Sequence, residues 1–180
     1  MKKLATLLVT ILTTLVANAQ KLDGEWVVNG GEFNELLQVA LHQEGINMKL
    51  GLAFKDTEVK VLSWINAEYD GVLMEMTVSI PGTYEKDGDQ YSCDFDTDRA
   101  DFEITDLKTD EPELSELLAN PATKAMVLRM VKSQAQEETS MLEDIVGLST
   151  PFRSFTIKEI SDKYLEIFTV DEVELSLIRK

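Results

Sequence analysis

The sequence predicts a mainly β protein. Its architecture is an up-and-down antiparallel barrel of about eight strands, with one helix after the first strand and a helical insertion before the last three. Three observations point there. Apolar and polar residues alternate over most of the chain from Ile46 to Leu107, and again from Phe152 to Arg179. Short turn signals separate these runs, so neighbouring strands connect as hairpins. Helical periodicity takes over in the two places named.

Residues 1–19 precede the barrel and read as a signal peptide. Lys2 and Lys3 give a basic start, Leu4–Val16 is apolar apart from threonines, and Ala17-Asn18-Ala19 is a small-x-small cleavage site. The apolar run is shorter than the ~20 residues a membrane span needs, and no second candidate follows. The expected product begins at Gln20, a single domain covering 20–180, exported as a soluble protein to the periplasm or beyond. The single cysteine, Cys93, is far from the cleavage site, which argues against a lipoprotein. It also leaves the chain without an internal disulfide, so barrel closure has to hide strand edges unaided. Cleavage removes two lysines and no acid, taking the net charge from −16 to −18. That balance repels nucleic acid and anionic lipid headgroups, and with no basic run to offset it, nucleic acid is not an expected partner.

The elements follow in order. Gly24-Glu25-Trp26 opens the first strand. Phe33, Leu36, Leu37, Ala40 and Leu41 then form a helical stripe that Gly45 stops, with His42 beside it. Ile46, Met48, Leu50, Leu52 and Phe54 share one face of a strand that turns at Lys55-Asp56-Thr57. The return strand from Glu58 has two competing faces, Val59 and Val61 against Leu62 and Trp64. After a turn at Tyr69-Asp70-Gly71, Val72, Met74, Met76, Val78 and Ile80 alternate cleanly, and Pro81-Gly82 is expected to bend or bulge the strand. A hairpin around Lys86-Asp87-Gly88 leads to Tyr91, Cys93 and Phe95 on one face. A further strand starts at Ala100, Phe102 and Ile104 and fades by Leu107.

The helical excursion covers 110–147. Asp110 and Glu113 suggest a capping box before Leu114, Leu117 and Leu118. Asn120-Pro121 restarts a helix whose stripe runs through Val127, Met130, Val131, Met141, Leu142 and Ile145, interrupted by Gln134 and Glu138. Three short strands close the chain, turning at Ser161-Asp162-Lys163 and Asp171-Glu172.

With this order of features, Gly24-Glu25-Trp26 and the closing run "ISDKYLEIFTVDEVELSLIRK" carry a resemblance. The chain resembles the lipocalin-like proteins exported by Bacteroidetes, most of them without a characterised function. The resemblance implies that Gly24 and Trp26 close the bottom of the barrel. It also implies that a basic residue of the last strand packs over the tryptophan ring. Arg179 shares parity with Val173, Leu175 and Leu177 and is the expected partner. The helix after the first strand and the long excursion depart from ordinary lipocalins and suit the bacterial group.

The motifs for chemistry are weak. Asp94, Asp96 and Asp98 have calcium-loop spacing, but Arg99 stands where glycine is needed and Thr105 where a bidentate glutamate belongs. No nucleophile elbow, zinc-ligand pair or phosphate loop appears, and nothing brings His42 to Cys93. The expectation is a protein that is not an enzyme and uses neither metal nor cofactor. One small apolar or mixed ligand inside the barrel is the first functional expectation, with Leu50, Leu52, Phe54, Met74, Met76 and Val78 as its lining. The alternative is a filled barrel, acting as an interaction or structural module of the cell envelope, which an exposed apolar helix face would favour.

Overall fold

The computed structural model describes residues 22–31, 46–69, 71–137 and 149–180, together with Glu35 and Gly147. The expected signal peptide, the helical stripe from Phe33 to Leu41 with His42, and Met141 to Ile145 of the excursion lie outside the described residues.

Nine strands make one antiparallel sheet: β1 Gly24–Gly30, β2 Ile46–Lys55, β3 Glu58–Tyr69, β4 Val72–Asp87, β5 Gln90–Phe95, β6 Asp101–Thr109, β7 Ser154–Ile160, β8 Tyr164–Thr169 and β9 Glu174–Arg179. Eight of them close into a barrel. The ring runs β1-β2-β3-β4-β5-β7-β8-β9 and shuts where β9 pairs with β1, Trp26 opposite Arg179 and Val28 opposite Leu177. The mainly β barrel with helical excursions is therefore the fold.

Strand β4 is long enough, at 16 residues, to serve two partners on one edge. Residues 72–79 pair with β6 and residues 82–87 with β5. The partners change at Pro81, which has no N–H to give, while its carbonyl accepts a bond from Asp96 N at 2.8 Å. The bend or bulge expected at Pro81-Gly82 does not form against β3, where Lys60↔Pro81 and Val59↔Gly82 keep register. The bulge sits instead between Glu75 and Met76, against β6. Pairing with β4 also carries β6 to Thr109, past the expected fade at Leu107.

Two helices of the excursion, α1 Pro112–Ala119 and α2 Pro121–Glu137, follow β6 and pack on it. The capping box at Asp110 is absent: Pro112 sets the first turn, which makes Glu111 the N-cap, and no side chain caps it. Asn120 does cap α2, its Oδ1 accepting from Ala122 N at 2.9 Å and Thr123 N at 3.3 Å. The buried stripe of α2 is also shifted from expectation. Val127, Leu128 and Val131 pack against the core, while Met130 faces out. Two ion pairs accompany this orientation: Lys124 pairs with Asp106, and Lys132 with Asp101 at 3.7 Å, both acids on β6.

One hydrophobic cluster fills the barrel, from Leu22, Trp26 and Phe152 through Phe155, Leu165, Ile167, Leu175 and Leu177. β3 settles its ambiguous faces by turning Val59, Val61, Ser63 and Ile65 inward. An aromatic series joins the walls: Phe54 meets Tyr84 edge-on at 5.4 Å, and Tyr91 stacks on Phe155 at 5.4 Å.

Candidate functional site

The interior wall is built from β2, β3 and β4. Register places Leu50, Ser63 and Val78 on one rung, Met48, Ile65 and Met76 on the next, and Ala67 with Met74 beyond them. Leu52 lies opposite Val61, and Phe54 opposite Val59. All six residues expected to line a ligand site are thus on one continuous surface. Leu50, Leu52, Phe54, Met76 and Val78 are 5% exposed or less, and Met74 is half-buried. Interior space wide enough for water would itself leave exposed area on these side chains. Their near-zero exposure means contact with other protein atoms on all sides.

Ser63 is the polar member of this wall that sequence reasoning missed. It is 1% exposed, and its Oγ has no hydrogen-bond partner among the described residues. The signal for it was hidden because Leu62 and Trp64 made the opposite face of β3 look equally apolar.

At the end where β1 starts, Arg179 lies over Trp26, with the guanidinium carbon 4.5 Å from the ring centroid. Trp26 Nε1 donates to the Leu22 carbonyl at 2.7 Å, so the indole is fully buried with its polar atom satisfied. Gly24 makes room for this arrangement. Its φ of +126° is one that L side chains rarely adopt, and a Cβ there would stand 3.4 Å from Arg179 Nη1.

The other motifs lie elsewhere. Burial pushes the Cys93 thiol up to about 12, which leaves it protonated at ordinary pH. Asp94, Asp96 and Asp98 lie where β5 runs into a short helical turn, and Arg99 faces Asp96 at 4.0 Å. Among the described residues, no three acidic, histidine or cysteine side chains gather as they would around a metal ion. Asp94, Asp96 and Asp101 share an outer groove of about 740 Å³ with Glu58, Lys60 and Arg99, where charges of both signs are mixed.

A second outer groove, of about 370 Å³, crosses β9, β1, β2 and β3 around Trp64. Gly51 shapes its floor. A Cβ on Gly51 would meet Trp26 O at 2.3 Å and Trp64 Cζ3 at 2.9 Å, so the missing side chain lets the indole lie against the barrel wall.

No protein-family model matches the chain, and no curated protein matches it. Among the described residues, no helix is long and apolar enough to cross a membrane.

Proposed function

We propose that this chain is an exported, non-catalytic barrel of the lipocalin-like kind whose interior is filled by its own side chains and which works through its outer surface. The carrying observation is the near-zero exposure of Leu50, Leu52, Val78, Leu165, Ile167, Leu175 and Leu177, drawn from both sides of the ring. An eight-stranded barrel is of the size that side chains alone can fill. The outer face supports the same reading. Met126 and Met130, one turn apart on α2, are 62% and 50% exposed, an outward apolar pair available to a partner. Export rests on the leader at residues 1–19. Cys93 is buried and protonated, so it offers no thiolate nucleophile.

A second reading keeps one small apolar or mixed ligand within the barrel. Ser63 favours it: a buried hydroxyl without a partner costs about 1–3 kcal/mol, and a ligand's polar group would supply the bond. Met76 and Val78 would have to move aside, which methionine does readily. Native mass spectrometry of the protein purified from its own envelope separates the two. The filled barrel predicts the polypeptide mass alone, unchanged after incubation with an apolar probe. A defined extra mass, lost on denaturation, would overturn it in favour of the interior ligand.

A further inference from the structure

We propose that the helical excursion pairs with itself: α1 of one copy of this chain docks on α2 of a second copy, and α2 on the second copy's α1. The inference rests on the reading that the barrel works through its outer surface. Both helices lie against β6 and against each other. Leu118 of α1 and Val127, Leu128 and Val131 of α2 pack on the core cluster, so the opposite sides of both helices are turned away from the barrel. On those sides the helices carry opposite charge. α1 exposes Glu113 and Glu116 and contains no cation, whereas residues 121–136 of α2 hold Lys124, Arg129 and Lys132 and no acid. Lys124 and Lys132 are turned to Asp106 and Asp101 of β6, which leaves Arg129 as the outward cation. Among the described residues, Glu113, Glu116 and Arg129 take part in no ion pair.

A surface with acid on one helix and base on its neighbour is complementary to itself. A twofold axis through the turn at Asn120, along the bisector of the two helices, lays each helix on the other kind at equal distance from the turn. Arg129, nine residues after Asn120, then comes level with Glu113 of the second copy, seven residues before it, and with Glu116 one turn on. The same rotation joins exposed apolar side chains. Leu117 of α1, 55% exposed, meets Met126 of α2, 62% exposed, and Met130 flanks the contact at 50% exposed. Methionine adapts its shape to such a neighbour. Ala122, Ala125 and Ser133, also outward, are small and let a second helix come close. A net charge of −16 sets two copies against each other. At physiological salt that repulsion is screened beyond about 8 Å, so the matched pairs at contact decide the outcome.

The test is the association state of the mature protein by sedimentation equilibrium. It compares the wild type, Arg129→Glu, the double variant Glu113→Lys with Glu116→Lys, and an equimolar mixture of the two variants. The wild type should dimerise. Each variant alone sets like charges together and should dimerise at least about tenfold more weakly. The mixture restores opposite signs at both contacts and should dimerise as the wild type does. An unchanged melting midpoint by circular dichroism shows each variant to be folded. A wild type that stays monomeric up to about 1 mM would overturn the proposal, as would variants that dimerise unchanged or a mixture that stays monomeric. A monomer that instead sediments with phosphatidylglycerol vesicles would overturn it in favour of a lipid surface. The filled interior is tested separately: an extra mass per chain, lost on denaturation, would defeat that reading whether or not the chain dimerises.

Discussion

Three separate needs meet at Trp26. Its ring is buried at the closed end of the barrel, its Nε1 is satisfied by Leu22, and its face is covered by Arg179. Truncating a buried aromatic leaves a cavity, and here it also strands the charged group packed over the ring. Trp26→Ala is therefore expected to cost about 3–5 kcal/mol, measured as a shift of the denaturation midpoint at unchanged slope. Unchanged stability would defeat the closure role. The tryptophan was legible in the sequence because Gly24-Glu25-Trp26 comes soon after the apolar run Leu4–Val16 and opens the alternating pattern. Ser63 was not. Its inward orientation depends on Leu50 and Val78 flanking it on neighbouring strands, which no local pattern encodes.

Among the elements, α2 joins β6 partly through charge. Lys124 holds it to Asp106, which also contacts Lys108 at 3.3 Å. The hydrogen bond from Lys124 is the chief reason the Asp106 carboxyl lies below the usual carboxylate range. A carboxyl lowered on folding stabilises the native state above its unfolded value, and that contribution disappears as pH falls through the folded value. Acidification from roughly pH 4 downward should loosen α2 from β6. Hydrogen exchange should show α2 amides losing protection before those of β1, β2 and β9, and Asp106→Asn should remove the pH step. Equal loss of protection in helix and barrel would refute the assignment. The sequence placed this helix and its Asn120 cap, but which of its faces meets β6 and the core is seen only in the fold. An isolated stripe of Val127, Met130 and Val131 does not disclose which neighbour it meets.

For the whole molecule, closure is the organising fact. β9 pairs with β1 on one side and β8 on the other, and its Leu175 and Leu177 sit in the single core cluster. Without a disulfide, this last strand is what joins the two halves of the ring. Truncation after Val173 should abolish the cooperative thermal transition seen by circular dichroism, because it opens two strand edges and empties part of the core. A truncated chain that still melts cooperatively would show the ring to be dispensable.

The sequence by itself determined what depends on near neighbours. Alternation set the strands and the inward faces of β2, β4 and β5, Asn120-Pro121 set the start of α2, and turn residues set the hairpins. Tertiary structure decided what depends on register between distant segments: the β1–β9 seam, the division of β4 between β5 and β6, and the choice of face in β3. It also decided how the two tryptophans differ. Trp26 is buried inside the barrel, whereas Trp64 alternates with the inward Ser63 and Ile65 and so lies on the outer wall, where Gly51 leaves room for its ring. A period of two tells which residues share a face. Only strand pairing tells which face is inside and what packs against it.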